Sequence, residues 1–296
     1  MITDFAGKIA VVTGGGTGMG RELVRQLALA GADVAFCDIA PETMAETAAI
    51  VADQAPGVRC LTHRVDVSIE AELLAFRDRI TAGFDTDHVH ALFNNAGIAG
   101  GGSMFTATRE SWEKTFDVDW YGVYYGCRTF LPLLASAPEG AVVNTSSVNG
   151  FYAAIGPERP HTAYSAAKFA VKGFTEALQE DLKVNAPHVS AHVVMPGHIG
   201  TKIVSNTTRI QEAEPTPEEA EFLLAVAEHF ETQAPMTAEE AARVILDAVT
   251  AGEWRILVGD DAHELDRRVR DDPEGAYRNN LFDLIGDRPP DIEPPA

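Results

Sequence analysis

Short apolar runs alternate along the chain with longer stretches whose apolar residues recur every three or four positions. Ile9-Ala10-Val11-Val12 is the first run and breaks into Thr13-Gly14-Gly15-Gly16-Thr17-Gly18-Met19-Gly20. Leu23, Leu27 and Ala30 then follow at helical spacing up to Gly31, and Val34-Ala35-Phe36-Cys37 leads to Asp38. Strand, glycine loop, helix, strand is one βαβ unit. The alternation goes on. It predicts helices over Pro41 to Asp53, Glu70 to Thr81, Ser111 to Leu134, Tyr164 to Leu182 and Ala238 to Thr250. It predicts strands over Arg59 to Val65, Ala91 to Phe93, Ala141 to Thr145, Val189 to Val194 and Arg255 to Val258. Strands spaced by helices of this length predict an α/β fold with a doubly wound parallel sheet, of Rossmann type, in a single domain over residues 1–270.

Two stretches leave the pattern. Residues 203–235 are acidic and helix-prone, interrupted by Pro215 and Pro217. They follow a strand's carboxyl end, where open α/β sheets bind ligands, so they are expected to form a flap over the substrate. The tail, residues 271–296, ends Arg288-Pro289-Pro290-Asp291-Ile292-Glu293-Pro294-Pro295-Ala296, too proline-rich and polar to fold alone.

Composition narrows the function. The chain is 46% apolar and 23% charged, enough for a core and wrong for a disordered protein. Lys and Arg number 23 against 44 Asp and Glu, a formal net charge of -21. Such a surface repels phosphate backbones and anionic headgroups, so neither nucleic acid nor membrane is an expected partner. No apolar run is long enough for a transmembrane helix, and the start carries no secretory signal. Cys37, Cys60 and Cys127 lie far apart and make no metal pattern, so they read as reduced thiols in a cytoplasmic protein without a metal site.

Three groups carry chemistry. The glycine loop permits a tight turn, close approach of backbone to a pyrophosphate, and a helix N-terminus aimed at it. Its spacing, Gly14-x3-Gly18-x-Gly20, is not G-x-G-x-x-G, and its weight comes from its place between strand and helix. Asp38 stands at the second strand's end, 20 residues after Gly18. A carboxylate there accepts ribose hydroxyls and repels a 2′-phosphate, which favours NAD over NADP; a simple cap of the next helix is the alternative. Tyr164 and Lys168 share one helix face, so the cation lowers the phenol's pKa and fits it to exchange a proton with a substrate oxygen. Ser146-Ser147 ends the preceding strand, within reach of the same oxygen.

In these residues the chain resembles a standard-length short-chain dehydrogenase/reductase, over about residues 5–260. Thr13-Gly14-x3-Gly18-x-Gly20, Asp66-Val67, Asn94-Asn95-Ala96-Gly97, Ser147, Tyr164-x3-Lys168 and Pro196-Gly197-x3-Thr201 match that family's signatures in order. The resemblance implies Ser147, Tyr164 and Lys168 as catalytic residues. It implies a cofactor cradle of Gly14, Thr17, Gly18, Met19, Gly20, Asp38, Ile39, Asp66, Val67, Asn94, Ala96, Gly97, Tyr164, Lys168, Pro196, Gly197, Ile199 and Thr201. Tyr164 would be the general acid/base, Lys168 would lower its pKa and hold the nicotinamide ribose, and Ser147 would stabilise the developing alkoxide.

Two departures matter. Asp119 stands where the family has Asn, in Val118-Asp119-Trp120-Tyr121-Gly122, and is counted with the catalytic residues, since an aspartate can hold the relay water that the Asn anchors. An ionised Asp119 would pair with Lys168, weaken its pull on Tyr164 and raise the pH optimum. The 17 residues from Ser147 to Tyr164 exceed the family's usual spacing. The insert, with Phe151, Tyr152, Ile155, Pro157, Pro160 and His161, is expected to shape the substrate entrance, His161 being simply exposed. Phe151, Tyr152, Ile155, Ile199 and Ile203, with Gly100 to Phe105, are the expected substrate pocket, which suits an uncharged, apolar alcohol or ketone. Arg159 or Arg209 keeps a hydroxy acid open. The leading expectation is an NAD-dependent oxidoreductase of secondary alcohols; the alternative is an NAD(H)-binding redox sensor without turnover. A sugar-nucleotide epimerase is disfavoured by the short region after Thr201, and an enoyl reductase by the Tyr-Lys spacing. The family implies a homodimer or homotetramer through the two long helices.

Overall fold

The first strand, β1 (Ile9–Thr13), is buried along its whole length, which needs cover on both faces. The computed structural model, which describes residues 2–154, 160–210 and 216–278, supplies that cover. In chain order the elements are β1, α1 (Gly18–Leu29), β2 (Asp33–Asp38), α2 (Pro41–Gln54), β3 (Cys60–Arg64), α3 (Glu70–Phe84) and β4 (Ala91–Asn94). Next come α4 (Arg109–Phe116), a π-helical turn over Asp117–Tyr121, α5 (Gly122–Ser136), β5 (Gly140–Thr145), a 3₁₀ turn over Val148–Gly150, α6 (Thr162–Asn185) and β6 (Val189–Pro196). The last are β7 (Ile199–Gly200), α7 (Ile203–Ile210), α8 (Pro217–Thr232), β8 (Met236–Thr237), α9 (Ala238–Ala251), β9 (Arg255–Val258), α10 (Asp260–Asp271) and a 3₁₀ turn at Gly275–Tyr277.

Seven parallel strands run in the order β3-β2-β1-β4-β5-β6-β9, and β7 pairs with β8 beside them. One face of the sheet packs Val34, Phe36 and Val12 against Leu23 and Leu27 of α1 and Ile245 and Val249 of α9. The other packs Val11, Leu92 and Val142 against Phe76 and Ile80 of α3, Phe130 of α5 and Val171 of α6. This is the expected doubly wound, single-domain Rossmann-type architecture. Strand order reverses between β1 and β4, and there the carboxyl ends part to leave a crevice.

Three regions differ from the sequence reading. The helix expected over Ser111 to Leu134 is two helices joined by the π-helical turn, and that turn carries Asp119. One extra residue shifts the helical phase by about 100°, but no Pro or Gly within Asp117–Tyr121 marks the break. The chain does not stop folding at the last strand: α10 and the following 3₁₀ turn pack back onto the insert. Residues 203–235 hold two helices, α7 and α8; β8 then leads from Met236 into α9, started by a Thr237–Glu240 capping box. Among the described residues no helix is long and apolar enough to cross a membrane.

Inside the sheet a polar chain links three elements. Asn94 Nδ2 donates to Asn144 Oδ1 (2.8 Å), and Asn144 Nδ2 donates to Thr175 Oγ1 (3.0 Å), all buried. Buried amides are costly when unpaired, so Asn144→Ala should destabilise the protein by about 2 kcal/mol. Urea unfolding checks this: the midpoint falls at unchanged slope.

Candidate active site

The crevice begins at the glycine loop. Gly14 sits at φ +69, and a Cβ there would lie 2.8 Å from the Ala96 Cα. A Cβ on Gly20 would overlap the Gly14 carbonyl oxygen, so α1 meets its own loop at backbone distance. Thr13 ties this loop to the one after β4: its Oγ1 accepts from Asn95 N (3.0 Å) and Ala96 N (3.1 Å). Asn95 Nδ2 donates to Thr13 O (3.2 Å).

Asp38 stands across from Gly16. Its Oδ2 accepts from Gly16 N (3.0 Å) and its Oδ1 from Ala40 N (3.1 Å). The capping role and a ligand role are thus compatible, since each carboxylate oxygen keeps a second lone pair. Asp66 accepts from Lys114 Nζ (2.7 Å) and Ser68 Oγ (2.6 Å). Burial works against its ionisation, but these two hydrogen bonds outweigh it and hold the carboxyl below its usual range.

A cleft opens here. Of the residues expected around a cofactor, Gly14, Thr17, Gly18, Met19, Gly20, Asp38, Ile39, Asp66, Val67, Ala96, Gly97 and Thr201 line it. The flap forms its roof with Lys202, Ile203, Asn206, Arg209 and Ile210. Asn206 Nδ2 donates to Thr17 Oγ1 (3.1 Å), and Thr207 Oγ1 accepts from Ala99 N (2.8 Å), so α7 is seated directly on the glycine loop. A glycine cradle with no room for Cβ atoms, a helix N-terminus and a strand-end carboxylate together fit a dinucleotide.

Several expectations are placed differently. The Asn94 side chain points into the sheet, toward Asn144 and Cys127, and Asn95 faces the cleft instead. Ile199 is buried in the core with Val194 and Ile245, so its side chain lines neither cofactor nor substrate space. Pro196 and Gly197 end β6 outside the cleft lining. Gly197 N donates to Val258 O (2.9 Å), and a Cβ on Gly197 would overlap the Asp261 carboxylate. Tyr152 is fully buried rather than open to a substrate. Phe151 joins the same small apolar cluster. His161 is half-buried, not simply exposed, with its ring 6.4 Å from that of Tyr164. Ile155, Pro157 and Arg159 lie outside the described residues. Sequence reading missed Asn206 and Asn149, which carry no signal beyond their places in the flap and after the serine.

At the nicotinamide end of such a cleft three side chains converge. Ser147 precedes the 3₁₀ turn, and Ser146 turns away to donate to Lys168 O (2.7 Å). Ser147 stands close enough to Tyr164 to draw its phenol down in pKa. Lys168 Nζ stands 5.3 Å from the centre of the Tyr164 ring, donates to Thr145 O (3.2 Å) and lies 3.4 Å from Asp119 Oδ1. Asp119 Oδ1 also accepts from Ile98 N (3.0 Å), while its Oδ2 has no hydrogen-bond partner among the described residues. A Cβ on Gly97, at the cleft's edge, would sit 2.7 Å from Asp119 Oδ1 and 3.2 Å from Lys168 Nζ. Cleft and triad are therefore contiguous.

The charges act in opposite directions. Burial pushes the Asp119 carboxyl up to about 6, against the pull of Lys168 and the Ile98 amide. Burial also raises the Tyr164 phenol; Lys168 and Ser147 draw it down, and Asp119 pushes it up again. The expected net lowering of this phenol does not hold in the free protein, because burial exceeds the pull of the cation.

Residues 8–212 match the family model for short chain dehydrogenase. A Mycobacterium tuberculosis protein carrying the provisional name oxidoreductase SadH is 36% identical over 270 residues, 91% of this chain and 92% of its own. A short chain dehydrogenase/reductase from Burkholderia phymatum, solved in complex with NAD, superimposes with a TM-score of 0.78 at 26% identity, covering 98% of this chain and 99% of that one. A short chain dehydrogenase from Burkholderia cenocepacia, solved in complex with NADP, shares the fold at 22% identity with a TM-score of 0.71, covering 93% and 98%.

The glycine cradle gives a direct test. Gly20→Ala should weaken NADH binding about tenfold or more, because the added methyl displaces the loop backbone. Titration of NADH fluorescence reads this, with the thermal midpoint as control. Signature order, fold and coverage agree: the chain belongs to the short-chain dehydrogenase family of oxidoreductases.

Proposed function

We propose that this protein is an NAD-dependent oxidoreductase that interconverts a secondary alcohol and its ketone. The observation that carries the reading is the contact of Tyr164 with Ser147 and Lys168 at the edge of the cleft. The nicotinamide cofactor, when bound, supplies the hydride acceptor or donor. Everything else falls to the chain. Gly14, Thr17, Gly18, Met19 and Gly20 would receive the diphosphate, and Asp38 the adenosine ribose. Ile39, Asp66 and Val67 would flank the adenine, and Ala96, Gly97 and Thr201 the nicotinamide half. Ser147 holds the substrate oxygen, and Tyr164 gives it a proton during reduction or takes one during oxidation. Lys168 supports the phenolate, which is left behind when the proton is given in reduction and is the base that takes it in oxidation.

Asp38 supports NAD rather than NADP, since a 2′-phosphate would meet an anion. Ile203 and Ile210 of the cleft lining support an uncharged alcohol or ketone, while Lys202 and Arg209 beside them keep a hydroxy acid open. The exposed Tyr121 and Phe169 on α5's approach and α6 support pairing of copies through these helices, as a homodimer or homotetramer. One observation favours the alternative of a sensor without turnover: the Asp119 anion beside Lys168 weakens the group that should activate Tyr164. The intact Ser147, Tyr164 and Lys168 favour the enzyme.

Two outcomes are expected. Tyr164→Phe should lower kcat about 10²–10⁴-fold while leaving NADH binding intact, since only the transferred proton is lost. NAD⁺ should outperform NADP⁺ across a panel of secondary alcohols read at the NADH absorbance; NADP⁺ preference would overturn the role given to Asp38. The pH dependence follows from the sign of the shift. A phenol raised above its ordinary value stays protonated near neutrality, so ketone reduction should persist there and alcohol oxidation should need alkaline pH. Initial rates in both directions across a pH series check this.

A further inference from the structure

The insert after Ser147 does not open into a substrate entrance; it is tied to the end of the chain. Tyr152 is wholly buried, although a phenol at a pocket mouth would be exposed. Its hydroxyl donates to Ala276 O (3.2 Å), and its ring lies 5.0 Å from that of Tyr277. Ala153 N donates to the Tyr277 hydroxyl (3.2 Å), so the two tyrosines hold the two segments from both sides. Val148, Tyr152, Ala262, Leu265 and Ala276 form a small core of their own, apart from the two faces of the sheet.

The tie continues to the serine. Asn149 N donates to Ser147 Oγ (3.1 Å), and Ser147 Oγ lies 3.3 Å from Asn149 Oδ1, as its donor. Asn149 Nδ2 donates to Tyr152 O (3.2 Å). An unbroken path of hydrogen bonds thus runs from Ser147 through Asn149 and Tyr152 to Ala276. The far end is itself anchored: Gly275 N donates to Asp272 Oδ1 (2.8 Å), and Asp261, in the first turn of α10, accepts from His198 N (2.6 Å) beside β6. Residues 260–278 lie beyond the residues matched by the family model.

We propose that the chain's last described segment is a positioning element for Ser147, with Tyr152 and Tyr277 clasping it to the insert and Asn149 relaying its hold to the serine hydroxyl. The catalytic meaning of that hold rests on the dehydrogenase reading above. To hold the substrate oxygen Ser147 must turn its one proton from Asn149 Oδ1 to that oxygen, while the Asn149 N–H stays on its lone pair and fixes the hydroxyl in place. A hydroxyl without such a partner rotates freely, and the cost appears in the chemical step rather than in cofactor binding.

The test uses the full chain with Tyr152→Phe, Tyr277→Phe and the double variant, each keeping its ring and losing its hydroxyl. Amide hydrogen exchange is followed over residues 147–154 and over the glycine loop, 13–20. NADH binding is followed by fluorescence, and kcat and KM with NAD⁺ and 1-phenylethanol. The double variant should exchange about tenfold faster over 147–154 and unchanged over 13–20, with NADH affinity kept. Its kcat should fall about fivefold at unchanged KM for NAD⁺. Unchanged exchange over 147–154, or exchange that quickens uniformly with a lower melting temperature and an unchanged kcat, overturns the proposal. Wild-type protein that binds NADH but turns over no alcohol would defeat the dehydrogenase reading instead, and the exchange data would still decide whether the clasp holds the serine loop.

Discussion

Lys168 is a buried cation, and the site is organised around keeping it satisfied. Its side chain is 4% exposed, and a buried ammonium is tolerated only with close counter-charge and hydrogen-bond acceptors. Those come from two places: the Asp119 carboxylate in the π-helical turn and the Thr145 carbonyl at the end of β5. Lys168 itself sits on α6, one turn after Tyr164. Three elements are thereby held to one point, and Gly97 leaves the room a side chain would fill. The same arrangement sets the proton chemistry proposed for Tyr164, because its phenol reports the balance of burial, the cation and the anion behind the cation.

The second constraint is close approach at the topological switch. The loops after β1 and β4 are joined through Thr13 and Asn95, and α1 starts at backbone contact with its own loop. This places the N-terminus of α1 and the Asp38 carboxylate along one cleft. The flap closes over it through the bonds of Asn206 to Thr17 and of Ala99 to Thr207. Fold, cleft and triad are therefore one construction: the sheet brings the loops together, the glycines leave the space, and the π-helical turn and α6 deliver the charges to its edge.

Much of this was legible along the chain, for identifiable reasons. Strands buried on both faces read as continuous apolar runs, so β1, β4 and β5 stood out, and the glycine loop and Tyr164–Lys168 pair announced themselves by spacing. What was hidden depended on contacts distant in sequence. Asn94 and Asn95 are neighbours, but a strand end sends one side chain into the sheet and the other to the cleft, and composition cannot say which. Ile199 looked like a pocket residue until β7 turned it into the core. Tyr152 seemed an entrance residue because its partner, the 3₁₀ turn at Gly275–Tyr277, lies more than a hundred residues later. The helix α10 is dominated by charged residues pairing at i, i+3 and i, i+4, such as Arg267 with Glu264 and Asp271, so its buried face, Ala262 and Leu265, is narrow.

The central claim is that Tyr164 transfers the proton under the opposed influence of Lys168 and Asp119. The most direct measurement is the pH profile of kcat for NAD⁺-linked alcohol oxidation in the wild type and in Asp119→Asn. Asp119 is ionised above about 6 and disfavours the phenolate. Removing its charge lets Lys168 act unopposed, so the acid limb of the profile should move to lower pH, with NADH affinity unchanged. A limb that stays in place, or moves to higher pH, would contradict the account.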